Sequence, residues 1–173
     1  MPRKPKPLPE LLYGSSISWA GQVFRVLSSA RGVRWLELSD TPFEALEGTL
    51  RARIVPDDSS NEAVLDQLHE YFRGERRRFD LELDLRGTPF QMDVWSALGE
   101  IPYSESRSYG QIAQKIGRSN AARAVGQAAG ANPVPIIVPC HRMIGKSGQL
   151  VGFGGGLPLK EKLLMLEQGS LNL

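Results

Sequence analysis

The chain has 173 residues, of which 41% are hydrophobic and 8% aromatic, enough for the core of one ordinary domain or two small ones. No apolar run approaches the ~20 residues of a membrane span, and the basic, proline-rich amino terminus lacks the apolar stretch of a secretory signal, so we expect a soluble, cytoplasmic protein. The single cysteine, Cys140, excludes an intramolecular disulfide, and two histidines are too few for the usual Cys/His zinc cluster. We therefore expect chemistry without a metal or another cofactor.

The formal net charge of +2 conceals an asymmetry along the chain. Residues 1–105 carry 13 Lys and Arg against 17 Asp and Glu, whereas residues 106–160 carry seven basic residues and no acidic one. A one-sided basic field of this kind is what a polyanionic partner selects. Nucleic acid is therefore the leading candidate partner, and chance clustering in a loop-rich segment is the alternative.

The first half of the chain predicts a small α/β domain, residues 10–86, after a Pro/Lys tail, residues 1–9, that we expect to be disordered. Runs of β-forming residues at 23–27 and 33–38 predict a hairpin, because a turn-forming segment separates them. Apolar and acidic residues alternate over 79–85, which predicts a half-buried strand.

Two capping-box patterns predict helices within this domain. In the first, Thr41 would be the N-cap, with Pro42 at the first helical position and Glu44 completing the box. The second helix would begin near Ser59 and end at Gly74. Its apolar residues fall on one helical face, so we expect that face to be buried.

The second half, residues 87–173, is predicted to be a mainly helical domain. Thr88 repeats the capping-box pattern at the start of one helix, and Pro158 begins a final helix that a glycine ends. Residues 132–139 contain three prolines and are predicted to be extended, because proline disfavours the helical conformation of the residue before it. This segment leads the chain to Cys140.

Two short helices between these elements form a helix-turn-helix candidate. Ser108 opens the first helix and Gly117 ends it, and the second runs from about Ser119 or Asn120 to Ala129. The candidate lies inside the acid-free stretch, which is consistent with a nucleic-acid partner.

Cys140 is followed directly by His141 and Arg142. A free thiol is only a few per cent thiolate near pH 7, so a nucleophilic cysteine needs a base or a positive environment, and this one has both nearby. The alternatives are structural: Cys140 as a small buried hydrophobe and His141 as a core histidine with satisfied hydrogen bonds.

A longer string favours the chemical interpretation. Residues 132–145 read Asn-Pro-Val-Pro-Ile-Ile-Val-Pro-Cys-His-Arg-Met-Ile-Gly, and the glycine-rich 152–156 and a leucine-rich helix follow. This pattern resembles the O6-alkylguanine-DNA alkyltransferase family, whose signature is a Pro-Cys-His-Arg core, and the match covers nearly all of residues 88–169. The first half resembles the family only in length, element order and the segment 71–74. Its ribonuclease-H-like fold is therefore inferred by association.

The resemblance implies that Cys140 attacks the alkyl carbon of O6-alkylguanine and keeps the alkyl group irreversibly, so that each molecule acts once. His141 would take the thiol proton through a bound water, and Glu167 would orient His141. Without the resemblance, Glu167 would be interpreted as a solvated charge on a terminal helix.

The resemblance also implies a set of substrate-binding residues: Tyr109, Asn132, Met143, Phe153, Gly154 and Lys160. Tyr109 would help to bind the flipped guanine and assist its departure, and Asn132 would tie the helix-turn-helix to the active-site turn. On their own, these two residues would be a core aromatic and part of an Asn-Pro turn. The family often has Tyr in place of Phe153 and some members have Ser in place of Gly154, which concerns pocket preference but not the reaction.

The implied DNA-binding residues are Arg118, Ala122, Arg123, Gly126, Lys146 and Ser147. Arg123 matches the arginine that enters the DNA stack in place of the extruded nucleotide. Its small neighbours would let the helix approach a groove closely, and in this family the groove is the minor one. Without the resemblance, Arg123 would be a surface charge. The implied partner is double-stranded DNA containing O6-alkylguanine, bound by a monomer that could also assemble cooperatively.

Two alternatives have other consequences. A non-catalytic helix-turn-helix regulator or damage-sensing module would bind DNA without transferring a group, and Cys140 argues against the sensor. A cysteine hydrolase, suggested by Cys-His-Glu alone, would turn over repeatedly, whereas the repair protein would stop at one equivalent. The basic charge around the thiol and the helix of Arg123 favour repair.

Overall fold

The computed structural model describes residues 9–171, which form a mixed α/β fold. Most of the predicted tail, residues 1–8, lies outside the described residues. The strands and helices are β1 (Glu10–Trp19), β2 (Gln22–Ser29), β3 (Gly32–Glu37), α1 (Phe43–Leu50), β4 (Ala52–Pro56), α2 (Glu62–Phe72), α3 (Pro89–Gly99), β5 (Arg107–Ser108), α4 (Tyr109–Lys115), α5 (Ala122–Gly130), β6 (Met143–Ile144) and α6 (Leu157–Glu167), with 3-10 turns at Ser59–Asn61 and Cys140–Arg142. Within the described part of the chain, no helix is long and apolar enough to cross a membrane.

The first half is built on a four-stranded sheet with the order β3-β2-β1-β4. β2 and β3 pair antiparallel, which confirms the predicted hairpin, and β4 pairs parallel with β1. Neither β1 nor β4 was predicted from the sequence. Gly14 and three serines interrupt the apolar alternation of β1, and β4 has only five residues.

Helices cover both faces of this sheet. On β2, Phe24 and Leu27 point to opposite faces because side chains alternate along a strand. Leu27 belongs to a small buried cluster with Leu46 of α1. Phe24 belongs to the main core cluster, which contains Leu68 of α2 and Val94 of α3. One core therefore joins the two halves, and the predicted boundary near residue 86 stays a prediction.

The helix starts predicted at Thr88 and Ser108 are confirmed, and each has a capping box. The Thr88 hydroxyl accepts a hydrogen bond from the Gln91 amide at 3.3 Å, and the Gln91 side chain accepts one from the Thr88 amide at 2.9 Å. Ser108 and Gln111 repeat this exchange at the start of α4. Each box satisfies two amides that would otherwise lack an intrahelical partner.

The capping box predicted at Thr41 is wrong. α1 begins at Phe43, with Pro42 as an N-cap that accepts no side-chain hydrogen bond. Pro42 has an extended ψ of 148°, so the helix starts one residue later than predicted, and the Thr41 hydroxyl lies 2.7 Å from that of Ser39 instead. The helix predicted to begin near Ser59 likewise starts with a 3-10 turn, and the Asp57 carboxylate, not a predicted cap, accepts from the Ser59 amide at 3.0 Å.

The strand predicted over residues 79–85 is also wrong. A single bridge joins this segment to the sheet: the Val33 amide donates to the Glu82 carbonyl and the Asp84 amide to the Val33 carbonyl, each at 2.9 Å. Gly32 makes the close approach possible, because a Cβ there would lie 2.3 Å from the Glu82 oxygen. The apolar side chains of the segment pack against the core. The alternation in the sequence therefore indicated which side chains are buried, but not a strand that pairs along its length.

Residues 132–139 turn instead of extending. The Val138 amide donates to the Val134 carbonyl at 2.9 Å, and Ile136 has a φ of +74°, which is rare for a β-branched residue. Proline excludes the helical conformation of the residue before it but does not impose a strand, which is why the prediction failed. The turn delivers Cys140 to the protein interior.

The helices of the second half are held close to this turn. The Trp95 indole of α3 donates to the Ala128 carbonyl of α5 at 2.8 Å. α4 and α5 are joined by residues 116–121, in which Gly117 has a φ of +70°. α5 begins at Ala122, slightly later than predicted, and the short parallel pair β5 and β6 connects the start of α4 to the chain after Cys140.

The contrast between the two threonines predicts a difference in stability. Thr88→Ala removes a working N-cap and should lower the free energy of unfolding by about 1 kcal/mol. Thr41→Ala, the matched control, removes an exposed hydroxyl that caps no helix and should change it by less than ~0.5 kcal/mol. Urea unfolding of both variants measures this, and equal losses would contradict the assignment of the caps.

Candidate active site

Cys140 begins a 3-10 turn and lies at a small cavity. Its side chain is 8% exposed. The cavity has a volume of about 130 Å³. Its walls are formed by small and aromatic residues from α4, α5 and the loop before α6: Tyr109, Gly126, Ala129, Gly130, Gly152, Phe153 and Gly154. The structure thus brings the predicted nucleophile together with three predicted substrate-binding residues, Tyr109, Phe153 and Gly154.

The thiol is neutral in this environment. Burial raises the pKa of Cys140 to about 11, although a hydrogen bond with Asn132 and the charge of Lys160 act in the opposite direction. At neutral pH the sulfur therefore carries its proton, and nucleophilic attack requires a base that accepts it.

His141 is a fully buried base. Its Nε2 lies 2.7 Å from Glu167 Oε1. Burial lowers the pKa of His141, and Glu167 opposes this only in part, so the imidazole is neutral at pH 7. With Nε2–H donated to the carboxylate, Nδ1 is the acceptor nitrogen. Nδ1 has no hydrogen-bond partner among the described residues, so it is available to receive a proton.

Glu167 is an ionised carboxylate with several donors around it. Tyr71 donates its hydroxyl to Oε1 at 2.6 Å, Ser104 donates its amide to Oε2 at 3.0 Å, and Arg142 donates from Nε and Nη2 at 3.0 and 2.9 Å. Burial by itself would raise the pKa of Glu167, but hydrogen bonds from His141 and Arg142 outweigh burial and lower the pKa to about 2. The solvated charge considered from the sequence is thus excluded.

Sequence reasoning missed three of these partners. Arg142 was counted as positive charge near the thiol and Tyr71 as a member of an apolar helix face and of the segment 71–74, but neither was predicted to contact Glu167. Ser104 was not singled out, because its unusual φ of +63° is visible only in the structure. A buried tyrosine usually needs a hydrogen-bond partner, which is a signal in the sequence. The partner of Tyr71 lies 96 residues away, so the sequence does not identify it.

Three predicted substrate-binding residues do not line the cavity but lie close to its walls: Asn132, Met143 and Lys160. Asn132 spans the turn before Cys140, since its Nδ2 donates to the Val138 carbonyl at 2.8 Å and its Oδ1 accepts from the Val134 amide at 3.0 Å. Met143 directly follows the 3-10 turn of Cys140 and is buried.

Lys160 is buried, and its Nζ donates to backbone carbonyls. The acceptors are the carbonyls of Met143, Val151 at 2.8 Å and Gly152 at 3.3 Å. Lys160 thereby holds the loop of Phe153 against the chain that follows Cys140.

Tyr109 is the first residue of α4, and it lies against α5 and the loop of Phe153. Its hydroxyl donates to the Val151 carbonyl at 3.1 Å. Its ring faces Gly126 of α5, where a Cβ would lie 3.4 Å from the ring, so a side chain there would press on the tyrosine. Gly126, predicted as a DNA contact, is therefore part of the cavity wall. The Phe153 ring meets His141 edge-on, with the ring centroids 6.4 Å apart.

The basic field is smaller than the sequence suggested. Arg142 and Lys160 are buried, so they do not contribute to the surface. Arg107 pairs with Glu105, and Lys115 pairs with Glu100.

Three basic residues of the acid-free stretch remain on the surface without an acidic partner within residues 9–171: Arg118, Arg123 and Lys146. Arg118 precedes α5, and Arg123 lies in its first turn. Lys146 and Ser147 lie in an exposed turn after β6, and Ala122 is partly exposed. The predicted DNA-binding side chains are therefore accessible, apart from the cavity residue Gly126.

The lowered pKa of Glu167 predicts how stability depends on pH. Because the folded pKa, about 2, lies below the usual value of 4.5, the unfolded chain takes up this proton first. The free energy of unfolding should therefore fall as the pH drops from 4.5 towards about 2. Glu167→Gln should flatten this part of the profile, measured by urea unfolding, and the exposed control Glu161→Gln on the same helix should keep the wild-type profile. Parallel curves for wild type and Glu167→Gln would show that another group is responsible.

Comparisons with known proteins show which family this chain resembles. The family model of the 6-O-methylguanine DNA methyltransferase DNA-binding domain matches residues 89–169. The methylated-DNA–protein-cysteine methyltransferase of Mycobacterium tuberculosis is 58% identical over 118 residues, 68% of this chain and 72% of that protein. The inducible enzyme of that name from Bacillus subtilis is 41% identical over 162 residues, 91% of this chain and 90% of that protein.

A solved structure extends the similarity to the fold. The crystal structure of Mycobacterium tuberculosis OGT in complex with DNA matches this chain with a TM-score of 0.81 and 45% identity, over 92% of this chain and 94% of that one. The thiol, the buried histidine and its carboxylate thus lie in a chain that the Bacillus subtilis enzyme and the solved structure each match over more than nine tenths of its length. The chain belongs to the methylated-DNA–protein-cysteine methyltransferase family.

Proposed function

We propose that this protein repairs DNA by removing the alkyl group of O6-alkylguanine and transferring it irreversibly to Cys140. The observation that carries the proposal is the position of the single thiol at a cavity next to a buried base, His141, whose tautomer Glu167 sets. A non-catalytic DNA-binding module would need neither the thiol nor the base.

In this reaction the Cys140 sulfur loses its proton and gains the alkyl group. His141 Nδ1 accepts the Cys140 proton through a bridging water while Nε2–H stays bonded to Glu167. The sulfur attacks the alkyl carbon, and an S–C bond forms as the O6–C bond breaks. The electron pair of the broken bond goes to guanine, which takes the hydroxyl proton of Tyr109 as it leaves. Tyr109 regains a proton from solvent and His141 releases the thiol proton to solvent, so no net charge is left on the protein. A thioether remains on the protein, and the thiol is consumed.

The raised pKa of Cys140 suits a protein that reacts once. A thiol of high pKa gives an intrinsically stronger nucleophile once it is deprotonated. Until then the neutral thiol is protected from unwanted reactions, because the thiolate is the reactive form. The buried base thus limits thiolate formation to the moment of transfer.

The target base must leave the DNA duplex to reach this sulfur. Cys140 is 8% exposed, so an atom inside a base stack could not approach it. We assign α4, residues 116–121 and α5 as a helix-turn-helix whose second helix lies in the minor groove. Arg118, Lys146 and Ser147 would contact the backbone, and Arg123 would fill the gap left by the extruded nucleotide.

The remaining assignments concern the whole molecule. The sheet of the first half, with helices on both faces, is consistent with a ribonuclease-H-like domain, and we propose domains at residues 10–86 and 87–173. Action as a monomer in the cytoplasm, with cooperative assembly on DNA as a further property, stays a prediction.

The stoichiometry of transfer tests the reaction directly. After incubation with excess duplex containing O6-methylguanine, intact-mass measurement should show one added methyl group per protein, and peptide mapping should place it on Cys140. Cys140→Ala should transfer nothing but still bind the duplex, because the side chain is not part of the proposed DNA surface. Repeated turnover, or a methyl group on another residue, would rule out self-alkylation.

Base extrusion can be separated from chemistry with Arg123→Ala. This variant should repair alkylated duplex at least about tenfold more slowly, yet react almost normally with a free alkylguanine base, which needs no extrusion. Glu167→Gln should slow both reactions, because it acts on the base His141. Rates of transfer to both substrates give the comparison.

The control for charge is Arg53→Ala, which removes an exposed arginine from β4 in the first half. It should leave both rates unchanged. If Arg123→Ala slows free base and duplex equally, Arg123 supports the fold or the cavity, and its role in extrusion is wrong.

A further inference from the structure

The hydroxyl of Tyr71 belongs to the buried hydrogen-bond network, but the reaction described above gives it no role. We propose that Tyr71, which the first half of the chain contributes through α2, is a positioning residue for alkyl transfer. It holds Glu167 so that His141 keeps its proton on Nε2 and offers Nδ1 to the thiol. This inference rests on the proposed function and deepens it, because it makes the first half part of the reaction machinery.

The geometry places this hydroxyl at the point where base and carboxylate meet. Tyr71 is 0% exposed, and its oxygen lies 2.6 Å from Glu167 Oε1 and 3.3 Å from His141 Nε2. Glu167 Oε1 therefore receives hydrogen bonds from Tyr71, from His141 and from Arg142 Nη2 at 2.9 Å. Hydrogen bonds from these three residues hold the carboxylate against the imidazole.

The hydroxyl is a permanent donor. Burial and the negative charge of Glu167 raise the pKa of Tyr71 well above its usual value, so the phenol keeps its proton throughout the physiological range. A donor at 2.6 Å spreads the charge of the carboxylate and makes it a weaker base. The proton shared between His141 and Glu167 therefore remains on Nε2.

The ring of Tyr71 is fixed by other aromatic rings. The centroids of Phe79, Phe72 and Tyr103 lie 5.3, 5.8 and 6.2 Å from that of Tyr71. This packing holds the hydroxyl in place, and it also provides a control. The Tyr103 hydroxyl makes no hydrogen bond among the described residues, so Tyr103→Phe removes a hydroxyl from the same aromatic cluster without touching Glu167.

The two histidines of the chain make the proposal testable without an activity assay. His69 is exposed and lies outside the network, whereas His141 reports on it in NMR titrations. The charged and titratable groups around His141 are Glu167 and Lys160 of α6, Arg142 and Cys140 of its own turn, and Tyr71 of α2.

In the wild type, the nitrogen shifts of His141 should show the Nε2–H tautomer. Tyr71→Phe frees Oε1 from its shortest donor, so the carboxylate interacts more strongly with the imidazole. The pKa of His141 should rise by on the order of half a unit to one unit. Tyr103→Phe should match the wild type at His141.

The rate of transfer to a free O6-methylguanine base provides the second measurement. Tyr71→Phe should react about tenfold more slowly at pH 8, the effect expected from losing a hydrogen bond to a charged group. The acid limb of its pH–rate profile should move to higher pH together with the pKa of His141. In the Glu167→Gln background, Tyr71→Phe should have little further effect, because it acts through the carboxylate.

The outcomes separate this inference from the proposed function. If the wild type transfers alkyl groups but Tyr71→Phe keeps both the wild-type rate and the wild-type His141 pKa, Tyr71 only packs, and the inference is wrong. An Nδ1–H tautomer in the wild type would overturn it without any variant, even if Tyr71→Phe failed to fold. If the wild type transfers nothing while the titration behaves as expected, the proposed function fails and the assigned network remains.

Discussion

Glu167 carries a negative charge in the interior of the protein, where an unpaired carboxylate would be strongly unfavourable. Its partners come from separate parts of the chain: Tyr71 from α2, Ser104 from the loop after α3, and His141 with Arg142 from the 3-10 turn. Removing one partner of such a buried charge typically destabilises a protein by ~3–5 kcal/mol. The need to pair this charge therefore determines how these four segments are arranged, and the reacting groups take their positions from it.

The same region holds backbone conformations that few residues adopt. Ser104 and Ile136 have φ angles of +63° and +74°, each of which is unfavourable by roughly 1–3 kcal/mol outside glycine. Both serve the site: the Ser104 amide reaches Glu167, and Ile136 lies in the turn that directs Cys140 to the cavity. Asn132 and the surrounding core keep that turn in place, since its side chain bonds to the backbone on both sides of the strained residue.

Burial has opposite effects on the two ends of the proton path. It raises the pKa of Cys140 to about 11 and lowers that of His141, so both groups are neutral at rest. Glu167 stays ionised in the same interior because its donors outweigh burial. The site thus combines a carboxylate that its hydrogen bonds keep ionised with a thiol and an imidazole that are both neutral. Arg142 and Lys160 are buried in the same region, and the hydrogen bonds of Lys160 hold the loop of the cavity wall in place.

The sequence by itself determined the second half of this protein best. Local signals sufficed there: the capping box at Thr88 depends on residues three positions apart, and the string around Cys140 identified the family. Where two paired strands or two hydrogen-bonded residues are distant in the chain, the sequence predicted no contact between them or a wrong one. Strand β1 pairs with β4 some forty residues later, and Tyr71 meets Glu167 across 96 residues. Only the tertiary structure decided these contacts, because a buried charge is paired by whichever donors the packed core brings to it, whatever their separation along the chain.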